Sequence, residues 1–149
     1  MTATARRIRC AVAVTGLLVV VAEAQAQITV SGSPSTMKIS AATAGSAPLA
    51  VTRAGTKYTV QQPTSGHYTV TANINAPMPA GVTLTIALAT SSGASSGTVT
   101  LGTTPQNVVT GIATKVTNRA ITYTLNATAS AGVVPIQTRS VTLTLINTP

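Results

Sequence analysis

The feature that most constrains this chain is a strict two-residue alternation that returns along its length. In Arg139-Ser140-Val141-Thr142-Leu143-Thr144-Leu145-Ile146, the aliphatic Val141, Leu143 and Leu145 interleave with Ser140, Thr142 and Thr144. Successive side chains leave opposite faces of an extended strand, so one face is oily and the other hydroxylated, which a 3.6-residue helical period does not produce. Val82-Thr83-Leu84-Thr85-Ile86-Ala87-Leu88, Tyr68-Thr69-Val70-Thr71-Ala72-Asn73-Ile74 and Ile121-Thr122-Tyr123-Thr124-Leu125-Asn126-Ala127 repeat the pattern. Half-buried strands of this kind need one shared apolar layer. The expected fold is all-β, an immunoglobulin-like antiparallel β-sandwich of about 7 to 9 strands behind an N-terminal hydrophobic signal or anchor helix.

That N-terminus is set apart by composition. Arg6, Arg7 and Arg9 precede an apolar run over residues 10–21, and Ala22-Glu23-Ala24 or Ala24-Gln25-Ala26 supplies small residues around a cleavage point. Together they read as a secretory signal over residues 1–26, followed by a single β-sandwich domain over residues 27–149. Retained as an anchor instead, residues 8–22 would touch the membrane but span only ~22 Å as a helix, short of the ~30 Å hydrocarbon core. Either way the domain is expected outside the cytoplasm: periplasmic, extracellular or at the cell surface, and membrane-anchored if the leader stays.

Charge narrows the chemistry further. Nine Lys and Arg stand against one acid, and that acid is Glu23, inside the leader. Residues 27–149 carry Lys38, Arg53, Lys57, Lys115, Arg119 and Arg139 and no Asp or Glu, so no side-chain salt bridge can form there. The plain reading of these cations is a solvated surface; the functional one makes them candidate contacts to an anionic surface such as lipid headgroups or acidic polysaccharide. The one Cys is Cys10, also in the leader, which leaves the domain without a disulfide. Phe and Trp are absent and only Tyr58, Tyr68 and Tyr123 are aromatic, so the core must be aliphatic. Tyr68 and Tyr123 fall on the core parity.

Along the domain, residues 27–32 form a short alternating strand cut off by Gly32 and Ser33-Pro34. Residues 36–41 alternate again, with Met37 and Ile39 on one side. Residues 49–53 and 57–61 flank Ala54-Gly55-Thr56, a connection of hairpin length. Strands are expected over 67–74, 82–89, 98–101, 106–110, 121–127 and 139–146, and Pro135 makes 133–137 an edge segment. Ser and Gly over residues 90–97 read as a flexible loop, and residues 111–118 show the least pattern.

The residue inventory excludes most catalysis. Paired-carboxylate acid/base chemistry, a Ser-His-Asp triad and a Cys nucleophile all lack a required group. Calcium needs several carboxylate oxygens and zinc several Cys, His or acidic ligands, whereas the domain has the single imidazole of His67, which reads as an exposed strand-end residue. No enzyme activity, metal or cofactor is expected. Six dispersed cations without stacking aromatics exclude a nucleic-acid partner. Asn126-Ala127-Thr128 matches a glycosylation sequon, relevant only in a eukaryotic secretory route. Residues Gln27, Ile28, Thr29, Val30 and Ser31 are candidates for partner contact, since a free alternating segment can be donated to a neighbouring subunit.

Residues 35–146, with their run of alternating strands, the Ser130-Ala131-Gly132 turn before a Val-Thr-Leu-Thr-Leu strand, and a Thr/Ala-rich, acid-poor body, resemble exported bacterial sandwich proteins of the spore coat protein U and chaperone/usher pilin type. The resemblance implies a structural subunit of the surface or periplasm and transfers no site residues. The chain departs from that group in having no Cys pair in the domain and no aromatic near its C-terminus. The expected function is a non-catalytic structural or binding protein whose partners are other protein subunits. Alternatives are an anchored accessory subunit packed on a larger membrane complex and, with three Tyr as its only aromatics, a carbohydrate-binding module.

Overall fold

Nine strands form among the described residues: β1 (Gln27–Ser31), β2 (Val51–Gln61), β3 (His67–Ile74), β4 (Val82–Leu88), β5 (Ala94–Ser95), β6 (Val99–Thr100), β7 (Gln106–Ile112), β8 (Val116–Ala127) and β9 (Val141–Thr148). The computed structural model describes residues 26–39, 46–61 and 66–148, and helix there is confined to one 3-10 turn, Ala129–Ala131. Apart from Ala26, the leader expected over residues 1–26 lies outside the described residues.

The strands make two antiparallel sheets, one in the order β1-β2-β8-β4-β6 and the other in the order β5-β7-β3-β9. In the first, β8 lies between β2 and β4 and pairs with β4 without interruption from Val82↔Ala127 to Leu88↔Ile121. In the second, β3 holds β9 from His67↔Thr148 to Ile74↔Val141. The inward parity of both sheets is aliphatic, and Tyr58, Ile86 and Ile121 of the first sheet join Val70, Ile74 and Ile112 of the second in one buried cluster. Each such side chain contributes about 1.5–3 kcal/mol on burial, which is what holds together a core without Phe or Trp. All three tyrosines are buried, Tyr58 included.

Several expectations are corrected. Residues 49–53 and 57–61 are not the arms of a hairpin: residues 51–53 and 57–61 belong to one strand, β2, because both flanks pair with β8, and residues 49–50 precede it. Ala54-Gly55 is absorbed as an irregularity between the pairs Arg53↔Tyr123 and Thr56↔Ile121. Alternation over residues 36–41 does not become a strand: residues 36–39 take no regular structure, although Met37 packs on the core, and residues 40–41 lie outside the described residues. Nor do residues 133–137 form an edge strand; Val133 and Ile136 stand almost fully in solvent, so no apolar layer draws the segment into a sheet. The weakly patterned residues 111–118 complete β7 and begin β8 around a short turn.

Residues 90–97, read as a flexible loop, are a hydrogen-bonded crossing between the sheets. The Ser92 hydroxyl accepts from the backbone N–H groups of Ala113 and Thr114, both at 3.0 Å, while the Ser95 hydroxyl donates to the Leu88 carbonyl at 2.8 Å. Gly93 sits at φ +76°, and a Cβ there would come within 2.3 Å of the Thr110 carbonyl oxygen, so only glycine lets the crossing press against β7.

Two substitutions test this packing by chemical denaturation. Ile121→Ala, at the centre of the first sheet, is expected to cost about 2–5 kcal/mol. Thr56, beside the β2 irregularity, is 1% exposed and its hydroxyl has no partner among the described residues. Thr56→Val should therefore raise stability by about 1 kcal/mol, and a loss would show that the hydroxyl is bonded in solution.

Candidate interaction surface

Strand direction sorts the polar and apolar groups between the two poles of the molecule. β2 runs toward Gln61, and β8 runs back from Val116, with Val60 opposite Val116 and Tyr58 opposite Arg119. One pole therefore gathers Lys115 and, near the start of β8, Arg119, both exposed, and His67, exposed at the start of β3, while the exposed Lys57 lies mid-strand opposite Ala120. The N-terminal end of β1 is there too, since Gln27 pairs with Gln61. At the other pole, the connections around β2's start and between β8 and β9 carry Leu49, Val133 and Ile136, which are 86%, 102% and 97% exposed.

The remaining candidate cations are not part of this group. Arg53 faces Tyr123 across the ladder; its Nε donates to Ser35 Oγ at 3.0 Å and its Nη1 to the Thr52 carbonyl at 3.0 Å. Arg139 clamps two connections together: Nε and Nη2 both donate to the Pro77 carbonyl, at 3.2 and 2.8 Å, Nη1 donates to the Thr138 carbonyl at 3.0 Å, and Nη2 also reaches Gln137 Oε1. Lys38 is exposed in the segment after β1. With no carboxylate among the described residues, the guanidinium groups take backbone carbonyls and hydroxyls as acceptors.

The candidate segment Gln27, Ile28, Thr29, Val30 and Ser31 is β1, in register with Gln61, Val60, Thr59, Tyr58 and Lys57 of its own chain. Ile28 packs on the core, but Val30, on the same inward parity, is 50% exposed. Asn126 of the sequon lies half-buried within β8, opposite Thr83.

A feature that residue inventory alone did not reveal is the free side of β9. Alternation marked the strand, but only the sheet order shows that it ends its sheet. β9 has β3 as its one ladder partner among the described residues, and Val141, Leu143 and Leu145 are only half-buried, whereas their partners Ile74, Ala72 and Val70 are sealed. Exposed backbone N–H and C=O groups beside a partly uncovered apolar row form a template for another strand.

Chemically, these surfaces offer hydroxyls, cations and a strand edge. Among the described residues no group of three or more His, Cys, Asp or Glu could hold a metal. No protein-family model, no characterised protein and no solved structure matches the chain.

Two of the tyrosines, Tyr58 and Tyr123, respond to pH. Burial pushes the Tyr58 phenol above its usual value, and its bond with Thr90 and the charge of Arg119 pull it part of the way back; its hydroxyl donates to the Ala89 carbonyl at 2.9 Å. Burial likewise pushes Tyr123 up. Folded phenols thus hold their protons to higher pH than unfolded ones, which titrate near about 10. Their contribution is complete below that value and is lost as pH rises through the folded values. Melting temperature should fall on going above about pH 10, and Tyr123→Phe should shallow that fall; identical slopes for both proteins would show that Tyr123 titrates as in the unfolded chain.

Proposed function

We propose that this chain is an exported, non-catalytic protein of immunoglobulin-like sandwich layout that acts through contacts with other protein subunits in the periplasm or at the cell surface. The observation that carries the reading is the kind of surface the two sheets present: threonine-rich outer faces, an open strand edge, and side chains that offer no carboxylate or thiol among the described residues. Such a surface can bind and be bound, and it holds no pair of groups suited to transferring protons. Donation of Gln27–Ser31 to a neighbour fits the same reading, as an exchange in which β1 leaves its own β2 for that of another copy. The leader over residues 1–26 supports export. The test is the intact mass of protein recovered from an exporting host: a start at Gln25 or Gln27 is expected, and a chain that keeps its leader rules out simple secretion.

A second reading is favoured by the position of the N-terminus. Gln27 lies at the pole that carries Lys115 and Arg119. If residues 8–22 stay in a membrane, that pole faces the headgroups, as an accessory subunit on a larger membrane complex would. Each cation near an anionic surface adds about 1 kcal/mol, roughly a fivefold change in affinity. In this reading Lys115→Ala with Arg119→Ala weakens cosedimentation with phosphatidylserine vesicles by roughly 25-fold at low salt. Equal binding by variant and parent protein would remove the oriented pole from the account.

A further inference from the structure

We propose that the free edge of β9 pairs antiparallel with β9 of a second copy across a twofold axis, joining two four-stranded sheets into one of eight strands. The inference rests on the reading of the chain as a contact protein and names the partner as the chain itself.

Four strands end the two sheets, and three are poor templates. β5 and β6 have two residues each, and β1 has five before Gly32 and Ser33-Pro34 interrupt it. β9 has eight, in unbroken register with β3. Natural edges are blunted by proline, charge or bulges, and Val141–Thr148 contains none of these. The backbone groups on its outer side call for an extended strand as occupant. Its inner side asks for apolar cover, because Val141, Leu143 and Leu145 are half-exposed and Val30 of β1, which approaches β9, is half-exposed as well.

The β9 sequence is complementary to itself. With Leu143 on the axis, Leu143 meets Leu143 of the second copy, Val141 meets Leu145, and Thr142 meets Thr144. Aliphatic side chains then continue the inner face and hydroxyls the outer face. A one-residue slip turns Leu143 against Thr142 or Thr144 and Leu145 against Ser140 or Thr142, and moving the axis to Thr144 sets Thr142 against Ile146. Charge points to the same edge. All charged side chains among the described residues are cationic, so contacts that bring cationic groups of two copies together are repulsive, whereas β9 is uncharged. Arg139, beside it, is held on the Pro77 carbonyl, and Lys57 and Arg119 belong to the other sheet.

Sedimentation equilibrium of the purified full chain over a range of concentrations tests the proposal. A dimer is expected. Thr142 and Thr144 are exposed and point away from the core, so Thr142→Lys with Thr144→Lys leaves the fold intact, as checked by circular dichroism, while setting the new cations against each other across the axis. That variant is expected to be monomeric over the same range. Thr142→Glu with Thr144→Lys places each carboxylate opposite a lysine and should restore the dimer. Leu143→Cys in a Cys10→Ser background should form a disulfide-linked dimer, because directly opposed residues of an antiparallel pair lie about 4.5–5.5 Å apart at Cα, inside the disulfide range of about 4.4–6.8 Å. Monomer at every concentration overturns the proposal. So does a dimer that survives the lysine pair, or one lost only when residues 27–31 are deleted, which would assign association to an exchanged β1. None of these results depends on whether the leader is cleaved, so the export reading stands or falls on the mass measurement alone.

Discussion

The structure depends on one constraint: a single parity of aliphatic side chains, shared by two sheets, must be removed from water without help from charge pairs or disulfides in the described domain. β8 and β3 each lie between two long strands and, with β2, β4 and β7, send their inward residues into the same cluster. The β2 irregularity beside Thr56 is a consequence. Val51 and Arg53 on one flank, and Thr56, Tyr58 and Val60 on the other, can all pair with β8 only if the extra residues between them are accommodated locally.

A domain without carboxylates must satisfy its polar groups by other means. Hydroxyls do much of this: Ser92 accepts two backbone N–H groups, Thr52 bonds Thr124 across the β2–β8 ladder, and Thr69 bonds Thr148 across β3–β9. Arginines do the rest, turned onto carbonyls, as Arg139 shows by tying the connection before β9 to the one before β4. The same shortage leaves Lys115 and Arg119 as uncompensated charge at one pole, with Lys57 on β2 nearby. Electrostatic character here is therefore a property of an end of the molecule, and the long faces are governed by hydroxyls and methyl groups.

Much of the fold was legible in residue order. Val82–Leu88, His67–Ile74 and the last strand were readable as strands because each alternates aliphatic with polar side chains, although in β3 the hydroxyl row is buried too, Thr69 and Thr71 included. The buried positions of Tyr68 and Tyr123 and the exposure of His67 followed from the same parity. What misled was local chemistry read without its neighbours. Ala54-Gly55-Thr56 has the composition of a turn, yet an adjacent β8 long enough to pair with both flanks keeps the chain straight. Ser and Gly over residues 90–97 suggest slack, yet their hydroxyls find backbone partners on β4 and in the turn after β7. Pro135 suggested an edge strand, but no neighbour lies ready to receive it. Of the candidate surface residues, the cations were visible as a list, and their division between an exposed pole and two structural clamps was not.

The sequence by itself determined the two-faced strands, the aliphatic character of the core and the absence of Asp, Glu and Cys from residues 27–149, because side-chain type and period are local properties. Tertiary structure alone decided which strands end the sheets, which cations share a pole and which half-buried row stays uncovered. Those depend on how distant segments pair, and pairing is settled by the competition of all strands for the same interior, which no single stretch of residues encodes.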